Sequence, residues 1–345
     1  MAAAHQVSAV IFDLDGTLLD TERATRDVLN EFLASYEKVP DPEKEEKRLG
    51  QMYMESTTGI IRDYGLPLTV EEYSKAMHPL YLKRWQKAKP LPGVKRLVKH
   101  LYKNGVPLAL ASNSIRRNID QKLPKLEDWG ECFSVILGGD QVPNGKPSPD
   151  IVGVKGAKAS GAKAVAVPSL QSQRKHYYIA DIILYSLLDF DPELWGLPPF
   201  EDRVHGVLPI DPLLSTAQIG DRILNNLHRV ISDVHTYECI PDQISGIYMG
   251  WARSKVHGFS KVVIGTGWDF SQQTVERVMV VEFLDSTGKI ETEPVKLLVI
   301  GYIRKLQSTD DMLQALSVTD EDRSIARDGL DLPTFSEYAH DLHFP

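Results

Sequence analysis

Two carboxylates one residue apart, Asp13 and Asp15 in VIFDLDGTLLD, close an apolar run near the start of the chain. In a strand, residues i and i+2 point to the same side, so both project from the tip of a strand reading Ala9-Val10-Ile11-Phe12. Like charges that close repel, and the pair calls for something cationic between them. The plain structural alternative is a turn with an Asx cap, which Gly16 and Thr17 would also suit. Ser112 closes a second apolar run, VPLALASNS, and Lys146 stands in NGKPSPD. Taken singly, Ser112 suits a turn and Lys146 a surface charge. Far along the chain, Glu276 in QQTVERV is a candidate base, or equally one member of a rim ion pair with Arg277.

These residues need elements to hold them. Residues 7–13, VPLALASNS, FSVILGG (133–139) and KAVAVPSL (163–170) read as short buried strands. Helical patterns separate them, which predicts a parallel α/β sheet. Residues 20–88 are mostly helical and form an insert beside it, with PDPEKEEKRLG as a solvated connector. DFDPELWGLPPFED (189–202), rich in Pro and acids, reads as a linker. Beyond it, SGIYMGWA, SKVVIGTGW, RVMVVEFLD and KIETEPVKLLVIGYIR predict a small antiparallel barrel or sandwich. The domains expected are therefore 1–188 (helical cap about 20–88) and 203–345.

Composition bounds the rest. A chain of 345 residues, 42% hydrophobic and 25% charged, is long enough for two real cores. A net charge of −8 argues against a general nucleic-acid binder. No apolar run reaches the length of a membrane span, and the leader MAAAHQ fits no signal or transit peptide. Cys132 and Cys239 form no metal pattern and suit buried thiols in a reducing cytosol. A cytoplasmic protein with small-molecule partners is expected; the sequence leaves the oligomeric state open.

The block hhhhDxDGT followed by a helical insert, then LALASNS, then NGKPSPD, resembles the haloacid-dehalogenase-like phosphohydrolases over residues 7–188. The resemblance implies a Rossmannoid domain with a helical cap. It implies that Asp13 attacks phosphorus to form an aspartyl-phosphate, and that Asp15 protonates the leaving alkoxide and then activates water. Ser112, Asn113 and Lys146 would bind the phosphoryl group, and Mg²⁺ would be held by Asp13 and by the Asp15 backbone carbonyl. One piece departs from the family pattern. A further acidic pair belongs at the end of another core strand, yet only residues 147–163 separate Lys146 from KAVAVPSL. A helix, a strand and a second helix need on the order of 30 residues. One helix and one core strand are therefore expected to be missing, with Asp150 a weak substitute for the lost acids.

SGIYMGWA, GTGWDFSQQTVERVMVVEF, VKLLVIGYIR and EDRSIARDGLDLP resemble the riboflavin kinase barrel. A phosphatase of this kind fused ahead of that barrel resembles the plant bifunctional FMN phosphatase/riboflavin kinase family. The resemblance implies ATP, riboflavin and FMN as substrates and Glu276 as the base for the riboflavin 5′-hydroxyl. Trp251, Trp268, Tyr248 and Tyr302 are candidates to flank a flavin ring, or are core residues. Here too a part departs: the Gly-rich basic loop and Pro-Thr-Ala-Asn that cradle ATP are absent, and Asp269 replaces an Asn. The segment IGDRILNNLHRVI reads as a helix, with apolar residues at 219, 223, 224, 227, 230 and 231. Two rivals remain at this point: a flavin- or partner-binding paralogue without turnover, and a phosphatase of small sugar phosphates.

Overall fold

The computed structural model describes residues 7–25, 27–48, 51–146, 153–169, 171–224, 227–231, 240–254, 258–270, 275–285, 294–309 and 311–341. The chain falls into two compact units. One comprises residues 1–169, 173–187 and 191–198; the other comprises 170–172, 188–190 and 199–345.

In the first unit, strands β1 (Val10–Phe12), β2 (Leu108–Ser112) and β3 (Val135–Gly138) form a parallel sheet in the order β1-β2-β3. Ile11 lies opposite Ala109, and Ala109 opposite Val135. The strands β4 (Val165–Ala166) and β5 (Ile182–Ile183) pair with each other in a separate two-stranded sheet. Among the described residues, β1 is thus an edge of its sheet and not the centre of a continuous one. The row Phe12, Leu110 is buried, whereas Ile11 is 48% and Val135 47% exposed on the opposite face. A parallel sheet is normally covered on both faces. The open edge and the bare row fit the loss of a strand and its helix.

Helices α1 (Thr21–Thr25), α2 (Val28–Ala34), α3 (Pro42–Arg48), α4 (Tyr53–Tyr64) and α5 (Val70–Trp85) make the insert after β1. Its core gathers Phe32, Leu33, Ile60, Tyr73 and Met77. A capping box starts α5, in which the Thr69 hydroxyl accepts from the Glu72 amide and the Glu72 carboxylate accepts from the Thr69 amide. Helix α6 (Val94–Lys103) precedes β2, α7 (Arg116–Lys122) follows it, and α8 (Val154–Ala159) precedes β4.

The second unit is a closed antiparallel barrel. Its strands are β6 (Leu208–Leu224), β7 (Leu227–Ile231), β8 (Gly246–Ser254), β9 (Gly258–Asp269), β10 (Glu276–Phe283) and β11 (Pro294–Arg304). They run in the order β10-β7-β6-β11-β8-β9, with β9 returning to β10. The interior packs Tyr248, Val262, Ile264, Val281, Leu297 and Tyr302. After the short helix α9 (Met312–Ala315), the outer face is covered by α10 (Asp320–Leu330) and α11 (Pro333–Asp341), which bring Ala326, Leu330 and Phe335 against Ile247, Met249, Val263 and Ile300. Burial on both faces is why these strands read as nearly continuous apolar runs. At Gly250 the neighbouring strand comes so close that a Cβ would collide with the Leu298 carbonyl oxygen.

The described residues of IGDRILNNLHRVI, expected as a helix, lie instead in the paired antiparallel strands β6 and β7. Gln218 pairs with Ile231 and Ile219 with Val230 across β6 and β7. The apolar spacing suits a helix, but barrel closure offers both strands a hydrogen-bonding neighbour and buries Ile219 and Val230. Tertiary pairing overrides the local period.

Candidate functional site

The tip of β1 carries Asp13 and, one turn on, Asp15; the ends of β2 and α7 converge on them. Asp13 Oδ1 accepts from the Leu14 amide at 2.9 Å and from the Lys146 ammonium at 2.6 Å. Among the described residues no hydrogen bond reaches Oδ2, which leaves one oxygen open for attack. Lys146 is held from behind: its amide donates to Asn113 Oδ1 at 2.9 Å, and its methylenes lie against Gly153. Asn113 therefore acts on the lysine loop.

Asp15 is saturated. Its Oδ1 accepts from the Thr21 hydroxyl at 2.8 Å and the Lys122 ammonium at 2.7 Å. Its Oδ2 accepts from the hydroxyls of Ser112 at 3.2 Å and Ser114 at 2.8 Å. Burial pushes this carboxyl up, but the Lys122 charge and the hydrogen bonds from Lys122, Thr21 and Ser114 outweigh it and hold the pKa at about 2. Asp15 is therefore an ionised carboxylate at any ordinary pH. Lys122 has a side chain only 4% exposed, also reaches Ser114 Oγ at 3.1 Å, and lies 4.6 Å from the Trp85 ring centroid. That ring, at the end of α5, shields the ammonium from water.

Glu22, in the first turn of α1, is a further acid at this site. It accepts a hydrogen bond from the Ser169 hydroxyl and lies beside Gly16, where a Cβ would come within 3.1 Å of its carboxyl carbon. Burial, reinforced by the charges of Asp15, Asp13 and Asp20, pushes its pKa up.

Mg²⁺, which the family resemblance implies, is tested by this donor set. A hard cation needs six or more oxygen lone pairs and net negative charge. Asp15 spends its lone pairs on four donors, and Asp13 Oδ1 is taken by an ammonium. Among the described residues no three His, Cys, Asp or Glu side chains gather as a metal site, and Asp150 lies outside the described residues. With Asp13 Oδ2 the one oxygen of the Asp13–Asp15 pair left open, the described side chains do not fit the ion.

The structure brings Asp13, Asp15, Ser112, Asn113 and Lys146 together. Lys122, Ser114, Thr21, Glu22 and Trp85 are the residues that sequence reasoning missed. Two signals were available: Ser112 and Ser114 share a period of two, and Lys122 falls on the same buried face of α7 as Asn118 and Ile119.

The barrel presents a different picture. Glu276 opens β10 with its side chain 60% exposed and pairs with Arg229 at 3.3 Å. Arg277 is not its partner; that guanidinium donates to the carbonyls of Ile240, Pro241 and Ile244. Three of the four candidate aromatics are core. Trp251 donates its indole N–H to the Phe335 carbonyl, and Tyr248 and Tyr302 pack 5.1 Å apart. Trp268 is half-buried, its N–H on the Asp242 carbonyl and the Arg277 guanidinium 5.6 Å from its ring. No helix among the described residues is long and apolar enough to cross a membrane.

Comparison with known proteins covers both units. Residues 10–167 match the haloacid dehalogenase-like hydrolase family. The bifunctional riboflavin kinase/FMN phosphatase of Arabidopsis thaliana is 36% identical over 366 residues, covering 97% of this chain and 96% of that protein. This chain contributes about 335 residues to that alignment, so about thirty positions of the relative face gaps here. The (DL)-glycerol-3-phosphatase 2 of the same plant is 30% identical and covers 58% of this chain and 96% of its own length. Among solved structures, CbbY from Rhodobacter sphaeroides in complex with phosphate superposes with a TM-score of 0.47 at 24% identity, over 53% of this chain and 95% of that one.

Proposed function

Because this chain belongs to the bifunctional riboflavin kinase/FMN phosphatase family, we propose that it moves phosphate on and off riboflavin, with hydrolysis of FMN at Asp13 as its principal reaction. The observation that carries this is the open Oδ2 of Asp13 beside the Lys146 ammonium. In the first step Oδ2 attacks phosphorus, the P–O bond to the ribityl oxygen breaks, and the alkoxide takes a proton from water, since the ionised Asp15 has none to give, and leaves as riboflavin. In the second, water attacks phosphorus and gives its proton to the hydroxide left by the first step, the aspartyl-phosphate bond breaks, and phosphate and the Asp13 carboxylate are released. Lys146 neutralises charge on the transferring oxygens. Asp15, ionised and fixed by four donors, orients Ser112, Ser114 and Lys122 around the phosphoryl site.

The barrel's share is riboflavin binding and transfer of the γ-phosphoryl of ATP, taken up as its Mg²⁺ complex, to the 5′-hydroxyl with Glu276 as base. That step is slow. Glu276 must first leave Arg229, and the paired strands β6 and β7 replace the basic loop that positions a triphosphate. A cytosolic setting accords with the buried, reduced thiol of Cys132.

The test is phosphate release by the full chain from FMN and, in parallel, from glycerol 3-phosphate. A higher kcat/KM for FMN is expected. No release from FMN, with turnover of the polyol phosphate, would replace the flavin assignment.

A further inference from the structure

The first unit departs from a metal-dependent phosphatase in a way that its own residues explain. Two carboxylates, Asp13 and Asp15, face two ammoniums, Lys146 at 2.6 Å and Lys122 at 2.7 Å. Asp13 and Asp15 are each charge-compensated as built, and burial favours the neutral form of Glu22 beside them. A divalent cation would enter against two positive charges already in contact with its intended ligands, in surroundings where such repulsion is poorly screened. Neither lysine is a loose surface group. Lys146 is 16% exposed and braced by Asn113 and Gly153; Lys122 is 4% exposed, fixed by Ser114 and covered by Trp85.

We infer that Lys122 and Lys146 together stand in for the divalent cation, so that this site receives a phosphate monoester dianion without metal. The inference rests on the phosphatase reading of the preceding subsection. An ammonium is a compact point charge with three donors, able to contact a carboxylate and an incoming phosphate oxygen at once. Lys146 does this directly at Asp13. Lys122 is a positioning residue: it fixes Asp15, and through the shared carboxylate it holds the hydroxyls of Ser112 and Ser114 at the end of β2. The ligand class is a tetrahedral phosphate dianion, free or as the terminal group of an ester. An acidic pair on a further strand would make the same site net negative and call for a metal; its loss and the presence of the two lysines balance each other.

The experiment is calorimetric titration of inorganic phosphate into the full chain, once in EDTA and once in excess Mg²⁺. The same dissociation constant in both, with a melting temperature indifferent to Mg²⁺, is expected. Phosphate binding that is lost in EDTA and restored by Mg²⁺ overturns the inference, and so does no binding in either. Lys122→Met should weaken binding in EDTA about tenfold and make it respond to Mg²⁺, while Lys122→Arg keeps the metal-free behaviour. Wild-type affinity in Lys122→Met without metal also overturns it. If Lys122→Met fails to fold, the wild-type and Lys122→Arg titrations still decide. FMN left uncleaved while phosphate binds in EDTA would count against the proposed function and leave the inference standing.

Discussion

The two units have lost opposite things. The barrel keeps its scaffold whole: six strands close on themselves, leaving no edge, and both faces are packed. Its chemistry is thin, with an exposed Glu276 tied to Arg229 and its aromatics largely committed to the core. The phosphatase unit is the reverse. Its sheet is broken into three strands and two, with Ile11 and Val135 bare, yet the tip of β1 still gathers two carboxylates, two ammoniums and three hydroxyls within hydrogen-bond reach. A reaction centre built at strand tips survives the removal of a neighbouring strand, because the members it keeps come from β1, β2, α1, α7 and the loop that carries Lys146. A phosphate cradle made of a loop does not survive replacement of the loop by paired strands.

The contrast breaks most sharply at Asp13. Asp13→Asn should lower FMN hydrolysis by about three orders of magnitude or more, with the folded state intact by circular dichroism. Hydrolysis at the wild-type rate would show that the strand-tip carboxylate is not the nucleophile. For the barrel the expected result is the opposite asymmetry. Riboflavin quenching on the full chain should persist, while ATP-dependent FMN formation stays barely measurable and falls further in Glu276→Gln, because general-base help supplies only about 10²–10⁴-fold. Brisk FMN formation would restore the barrel as the stronger catalyst.

Stability should divide along the same line. An open β1 edge and an uncovered sheet row predict that the phosphatase unit melts first, in its own transition, with the barrel following. Calorimetry with one cooperative transition would refute this. Within the barrel, Asp322 and Arg304 form a two-point ion pair at 2.7 and 2.8 Å that fastens α10 to β11. Breaking it with Asp322→Ala should cost about 3 kcal/mol and lower the second transition without moving the first. Burial pushes the Asp322 carboxyl up, but the hydrogen bonds from Arg304 and Thr319 outweigh it and leave the pKa below its ordinary 3.8. A depressed folded-state pKa gives stability that is full above the unfolded value and is lost as pH falls through the folded one. The barrel should therefore hold this contribution down to about pH 4 and lose it only in stronger acid. In Asp322→Ala the second transition should lose that part of its acid sensitivity.

Much of this was legible in the sequence, unevenly. Strands β1, β2 and β3 could be read because buried parallel strands are short apolar runs, and the β8–β11 runs could be read for the same reason. Asp13, Ser112 and Lys146 stood out because each ends such a run or follows it at a turn. Lys122 did not, since its place beside Asn118 and Ile119 on one face of α7 is a weak signal and the Trp that covers it lies on a distant helix. The paired strands at 218–224 and 227–231 carry an apolar spacing that predicts a helix, and only the neighbours in a closed barrel decide for strands. The split sheet could be foreseen from the short span after Lys146, a length constraint that needs no side-chain knowledge.

The central claim is that phosphate passes through Asp13. Acid quenching of the full chain during turnover of FMN labelled at phosphorus, followed by peptide mapping, tests it directly. A hydroxylamine-labile label on the peptide holding Asp13, absent in Asp13→Asn, is the predicted result. Release of labelled phosphate with no labelled peptide, undiminished in Asp13→Asn, would contradict it.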